Sequence, residues 1–391
     1  MNDDRPRALK LLYLVEGYTD IRFVIGLSEI SQLTMIVPER QYFDSGLAER
    51  VAQADVSVDV IRIRGGRAAF QVRSLATLLR IAGKFDVILS QEMLRGSLNA
   101  NVAGRLRHVP VVTYMAMPPL QYFRCRTVHG PLGRLRSIMG ELVIGALMTI
   151  NGRLSSRSLA LGPYLQDIVS KFSGRTGPNH YYGVDTTIFR PASKAERAGL
   201  RRLHDLPGER PLIFLASRIS HEKDPKTALA ACALLRKQGV DLVLLNLSGG
   251  WREFLELARS ELGSDAESWV IARPAAHPIL EVADYFRAAD VTVQASLEEG
   301  LGLSPLESLA CGTPVVATDV GGMGRVLPPY ALLTPPRAVE AMASAIRRAL
   351  ARSPETEAMT QAGLQYVIAN WSRDAAFSEL KKTLRNVVSE S

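Results

Sequence analysis

RAADVTVQASLEEGLGLSPLESLACGTPVVATDVGG, Arg287 to Gly322, carries a whole supersecondary unit in one line. Val291 to Ala295 is an apolar run of strand length ending near Ser296, and Pro314 to Thr318 is another. Between them lies a glycine-rich turn and then Ser304-Pro305-Leu306-Glu307. That order predicts a serine N-cap, proline at the first helical position and glutamate at the third, a capping box, with Gly312 and Pro314 stopping the helix. Strand, loop, helix and strand in succession are the repeating unit of a parallel sheet covered by helices.

The same alternation extends outward in both directions. Downstream of Pro211, strands are expected at Leu212 to Ala216, Asp241 to Leu247 and Trp269 to Ala272, with helices at Asp224 to Gln238, Trp251 to Leu262 and Ile279 to Ala288. In the first half, strands are expected at Leu9 to Val15, Leu33 to Val37, Val58 to Ile63, Asp86 to Ser90, Val109 to Tyr114, Ser158 to Leu161 and Asn179 to Tyr182. A helical pattern such as Ala68 to Ala82 falls between them. The polar, proline-punctuated stretch Gly183 to Pro211 reads as the link between two α/β, doubly wound, Rossmann-like domains. Their expected extents are 1–192 and 193–371, with a C-terminal helix over 372–391 returning to the first domain. In such folds ligands collect beyond the carboxyl ends of strands, so the loops after Ala216, Leu247, Ala272, Ala295 and Thr318 are expected to converge.

Composition bounds the class. The chain has 391 residues, is 47% hydrophobic and has a net charge of +8. The excess belongs to the part through Ala192, which carries +9 while the remainder carries −1. Between Met93 and Gln166 stand nine arginines and a single acid, Glu141, a field that attracts anions. Three widely spaced cysteines suit a reducing compartment, and no apolar run is long enough to span a bilayer, so a cytoplasmic protein is expected. The sequence has no P-loop, nucleophile elbow or H-E-x-x-H, and GLGLSP lacks the third glycine of a dinucleotide fingerprint. With no D-x-D motif and scattered histidines, neither a metal nor another cofactor is expected.

Two carboxylates remain. Glu307 is accounted for by its capping box. Glu299 lies before the cap, in a loop where spacing offers it no helix donor, and its plain alternative is solvation. Yet Gly300, Leu301, Gly302, Leu303 and Ser304 allow backbone amides to approach a ligand, and a helix start favours phosphate. A carboxylate beside a phosphate is tolerable if a neutral hydroxylated group lies between, as in a sugar diphosphate. Arg218 and Lys223, in SRISHEKD after the strand Leu212 to Ala216, could neutralise the diphosphate in place of a metal.

Together these residues resemble retaining glycosyltransferases of the GT-B fold, family 4, also called the glycosyltransferase group 1 family. The resemblance rests on Ala216 to Asp224, Arg287 to Gly322 and the phrase GVDTTIFRP, Gly183 to Pro191. It implies two Rossmann-like domains facing a central cleft, and a sugar moved from a UDP or GDP donor to an acceptor hydroxyl. It also implies that Glu299 contacts the donor sugar, Glu307 the ribose, and Arg218, Lys223 and the Gly300–Ser304 amides the diphosphate. The chain departs from the pattern at LVEGYTD, which has Gly17 alone where glycine pairs are common, and at Arg325, where an acid is usual. The acceptor side is expected on the first domain, with Gly17, Gln91 and Glu92 as candidates; ordinary solvated loop is the plain reading of the last two.

Gly130 to Arg157 combines a mostly apolar stretch with arginines at both ends. It suits a helix lying on an anionic membrane through Arg134, Arg136, Arg153 and Arg157, and equally a buried domain helix with solvated ends. From it follows the expectation of a lipid-linked or envelope glycan acceptor and a peripheral location at the inner membrane face. A non-catalytic sugar-nucleotide binder stays open as an alternative. A basic nucleic-acid binder is weaker, because the aromatics Tyr114, Tyr122 and Phe123 come with no binding motif.

Overall fold

The computed structural model describes residues 8–126, 131–274 and 279–391, and divides into two compact units. The first takes 8–123, 131–182 and Asp374–Ser391; the second takes Arg124–Arg126 and Gly183–Arg373.

The first unit is a six-stranded parallel sheet: β1 Lys10–Leu14, β2 Gln32–Pro38, β3 Val58–Ile63, β4 Val87–Gln91, β5 Val111–Met115 and β6 Arg157–Ala160, in the order β3-β2-β1-β4-β5-β6. Leu11 to Leu14 are buried throughout rather than alternately, as expected of a strand covered by helices on both faces. Register pairs Leu12 with Thr34 on one side and with Ile88 on the other. The expected strand at Asn179–Tyr182 does not form. β6 is the sheet's edge and meets Thr176 through a single bridge at Ser158, and Gly162 N–H donates to Asn179 O at 2.8 Å. The buried Tyr181 and Tyr182 rings serve packing instead, each edge-on to Phe23.

The second unit repeats the plan with β7 Leu212–Leu215, β8 Val243–Leu247, β9 Val270–Arg273, β10 Val291–Gln294, β11 Val315–Thr318 and β12 Leu332–Thr334, ordered β12-β11-β10-β7-β8-β9. β12 is only three residues long and flanked by proline pairs, too short to give a periodic signal. Much of the expected linker is structure. Ser193 caps the helix Lys194–Leu203 in a capping box with Glu196, and Arg201 from that helix reaches Asp290 Oδ2 at 2.6 Å. The two units thus follow one blueprint, each with a point in the sheet where strand order reverses.

Candidate functional site

In the second unit that reversal lies between β7 and β10. The loop after β7 carries Arg218 to Lys223 and the loop after β10 carries Ser296 to Gly302, so topology alone places these segments side by side. Hydrogen bonds hold them there. Leu297 N–H donates to Glu222 O at 2.8 Å, and Gly322 N–H from the loop after β11 donates to Glu299 O at 3.0 Å. Asn246 Nδ2, on β8, donates to Leu215 O and Ser217 O at 2.9 and 3.0 Å, and Ser248 N–H donates to Arg273 O at 3.1 Å. Loops from five strands are therefore linked at one end of the sheet.

The loops touch closely. A Cβ on Gly322 would fall 1.9 Å from Gly300 O, so no larger residue fits there without moving the Gly300 loop. Gly302 sits at φ +87°, in the left-handed region that glycine tolerates, and turns the chain into the helix Leu303–Ala310.

That turn corrects the expected capping box. The helix starts at Leu303 with Gly302 as its N-cap, and no side chain caps it; Ser304 is already inside the first turn. Glu307 is buried at 4% exposure, and its position cannot be credited to capping geometry. Glu299 shows the converse. Its Oε2 receives a hydrogen bond from Lys223 Nζ, and Ser296 Oγ stands 3.4 Å away. Both side chains of this pair are largely buried, at 11% and 14% exposure. The carboxylate that spacing left without a protein partner thus has one. Arg218 is different: its side chain is 62% exposed and its guanidinium lies 3.9 Å from Glu222. It is the cation of this loop that remains available to solvent.

Glu222 went unnoticed in the sequence. It is almost fully buried, and burial alone would raise its carboxyl, but hydrogen bonds led by Arg126 overcome that and hold it down at about 2. This anchored carboxylate stands 3.9 Å from the Arg218 guanidinium, while Lys223 is held by Glu299. The Arg126 partner is 96 residues away, which no local pattern reveals.

In the first unit the reversal lies between β1 and β4, and a cavity of about 750 Å³ opens there. Its lining includes Gly17, Gln91 and Glu92 together. Gly17 N–H donates to Gln91 Oε1 at 3.3 Å, and Gln91 Nε2 donates to Tyr18 O at 2.5 Å. Glu92 has φ +56°, uncommon for a non-glycine residue. Its Oε2 is sealed from solvent without a hydrogen-bond partner, while Oε1 accepts from Ala116 N–H at 3.3 Å. Burial pushes this carboxyl up to about 8, so it is mostly protonated at neutral pH. Arg40 and Arg95 also line the cavity, paired to Asp44 and Glu16 at 3.0 and 2.9 Å. Arg67 follows Gly65 and Gly66 at the start of the helix Arg67–Ile81. These lining residues gave no motif; the glycine pair after β3 was the available sign.

Arg157 leaves the membrane-facing set expected from the sequence. The helix ends at Leu154, and Arg157 begins β6, where it pairs with Glu390 at 2.8 Å. The side chain of Arg134 lies outside the described residues, whereas Arg136 and Arg153 are exposed on the helix. Among the described residues no group of three metal-binding side chains occurs, and no helix is long and apolar enough to cross a membrane.

Residues 197–366 match the family model for glycosyl transferases group 1. The chain is 32% identical over 251 residues to a D-inositol 3-phosphate glycosyltransferase of Pseudarthrobacter chlorophenolicus, covering 63% of this chain and 57% of that protein. It is 40% identical over 251 residues to the enzyme of that name from Thermobispora bispora, covering 62% and 56%. The chain thus spans little more than half the length of these relatives. Among solved structures it resembles Anabaena HepE in complex with UDP-glucose, with a TM-score of 0.76 at 17% identity over 97% of this chain and 100% of that one. Sucrose-phosphate synthase from Thermosynechococcus elongatus gives 0.74 at 19% identity, over 98% and 100%. The motif positions, the paired parallel sheets and these likenesses agree: residues 197–366 match the glycosyl transferases group 1 family, and the chain has the GT-B fold.

Proposed function

We propose that the protein is a retaining, metal-independent glycosyltransferase that moves a hexose-type sugar from a UDP- or GDP-sugar to an acceptor hydroxyl. The observation that carries this reading is the meeting of Lys223 and Glu299 at the second sheet's reversal point, with exposed Arg218 beside them. Arg218 and Lys223 would take the diphosphate, assisted by the amides of Gly300, Leu301, Gly302, Leu303 and Ser304 at a helix start. Glu307 would hold the ribose and Glu299 the sugar. The UDP and UDP-glucose found with HepE lend support to a uridine donor.

The charge chemistry follows from the ion pair. Without donor, Lys223 is neutralised by Glu299; a bound diphosphate competes for the ammonium and frees the carboxylate for sugar hydroxyls. As the glycosidic bond breaks, negative charge grows on the departing phosphate, where Arg218 and Lys223 stabilise it most. In this reading the acceptor hydroxyl attacks from the face the phosphate leaves, and a phosphate oxygen helps accept its proton.

The acceptor is assigned to the first unit's cavity. There Arg40 and Arg95 are balanced by acids, and Gln91 and Glu92 offer hydrogen bonds suited to sugar hydroxyls. A lipid-linked or growing envelope or exopolysaccharide glycan is the acceptor class proposed. The test is slow hydrolysis of UDP- or GDP-sugars: Glu299→Gln should abolish turnover while nucleotide binding persists. Unchanged turnover in that variant, or a glycosyl adduct trapped on the enzyme, overturns the mechanism.

A further inference from the structure

Over residues 136–154, whose side chains are described, the helix Pro131–Leu154 is anchored along one side. Met148 and Asn151 are fully buried; Asn151 Nδ2 donates to Leu94 O at 2.9 Å and its Oδ1 accepts from Asn101 Nδ2 at 2.9 Å. A Cβ on Gly152 would meet Phe172 O at 2.1 Å, so the C-terminal turns are fitted tightly to the unit.

The opposite side is apolar and open. Ile138, Met139, Leu142, Val143 and Ile150 are exposed, from 42% for Ile150 to 63% for Leu142. Their spacing follows the helical repeat, so they form one stripe about 18 Å long at 1.5 Å per residue. A contiguous exposed apolar stripe of this kind on a folded unit marks an interaction surface. Exposed arginines stand at both ends, Arg136 and Arg153, and the helix carries one acid, Glu141, which lies within reach of Ser137 Oγ at 3.4 Å.

We propose that this stripe docks the first unit on an anionic membrane surface, with the five apolar side chains at the headgroup–acyl boundary and Arg136 and Arg153 against lipid phosphates. Charge selects this occupant over a second copy of the chain. Antiparallel self-pairing about a two-fold axis would set Arg136 against Arg153, and parallel pairing would set each arginine against itself. Neither arrangement sets the helix's one acid, Glu141, opposite an arginine: it would face Met148 in the first and itself in the second. The helix cannot cross the bilayer, so it lies in the plane of the interface. The inference concerns this helix alone and stands or falls apart from the donor site.

The experiment is sedimentation of the full chain with phosphatidylcholine vesicles, with and without phosphatidylglycerol, alongside a nucleotide thermal-shift control on the same preparation. The chain should pellet with the anionic vesicles and not with the neutral ones. Arg136→Ser/Arg153→Ser should weaken partitioning about thirtyfold, since each arginine near an anionic surface contributes roughly a fivefold factor. Leu142→Ser/Val143→Ser should remove the binding that survives high salt. Both variants should keep the parent's melting temperature and nucleotide response, because the changes lie on the open face. No pelleting with anionic vesicles, or pelleting that both variants retain, overturns the proposal. So does concentration-dependent dimerisation of the parent that Leu142→Ser/Val143→Ser abolishes, since a second copy would then cover the stripe.

Discussion

Replacing Glu92 by glutamine should stabilise the first unit while impairing its use. Burial lifts this carboxyl from 4.5 to about 8, so the folded chain keeps it protonated over a range where the unfolded chain ionises it. The sign follows from linkage: a folded value above the unfolded one favours folding fully below the unfolded value, and that contribution is lost as pH climbs toward the folded value. At about 1.4 kcal/mol per unit, the loss reaches about 3 kcal/mol at neutral pH and about 5 kcal/mol above the folded value. Glutamine keeps the shape and can accept from Ala116 N–H, but has no charge to lose. The variant should therefore match the parent near about pH 4 and exceed it by up to about 3 kcal/mol at neutral pH. Urea unfolding followed by far-ultraviolet circular dichroism reads this out. Tryptophan fluorescence separates the units, because Trp251, Trp269 and Trp371 all lie in the second. A stability gap that does not change with pH, or a glutamine variant less stable at neutral pH, would refute the assignment of a buried, protonated carboxyl.

Two predictions concern the second unit. Lys223→Met leaves Glu299 largely buried and uncompensated, so it should cost roughly 3 kcal/mol in urea titrations read by tryptophan fluorescence, and Lys223→Met/Glu299→Leu should recover most of that. Arg218→Ala, at an exposed side chain, should change stability by less than about 0.5 kcal/mol yet weaken nucleotide diphosphate binding by roughly 2 kcal/mol in calorimetry.

Much of the architecture was legible because apolar runs and turn residues act locally. β3 and the helices Trp251–Leu262 and Ile279–Ala288 lie at the residues their periodicity indicates. Failures came where a distant partner decides the outcome. Asn179–Tyr182 has strand-like residues, yet against the edge strand β6 the chain makes one bridge at Thr176 and a Gly162–Asn179 hydrogen bond instead of a ladder. Ser304-Pro305-Leu306-Glu307 has capping-box spelling, yet the left-handed turn at Gly302 starts the helix earlier, while Ser193 and Glu196 form the box in full. Glu299 and Glu307 exchanged standing for the same reason. The Lys223 partner is 76 residues from Glu299 and invisible to spacing, and the turn that excludes Glu307 from capping is backbone geometry. The cavity at β1 and β4 shows a related limit: Gly17, Gln91 and Glu92 could be nominated from strand ends, but the depth that protonates Glu92 is a property of the packed unit.

The central claim is that the second unit binds a nucleotide diphosphate through Arg218, Lys223 and the Gly300–Ser304 turn. A thermal-shift series with UDP, GDP, ADP, CMP, dTDP and the corresponding sugars tests it most directly, since a ligand bound to the folded state raises its melting temperature by mass action. UDP or GDP, and their sugars, should give the largest rise, and Arg218→Ala should reduce it. A response that is flat across the series would contradict the account.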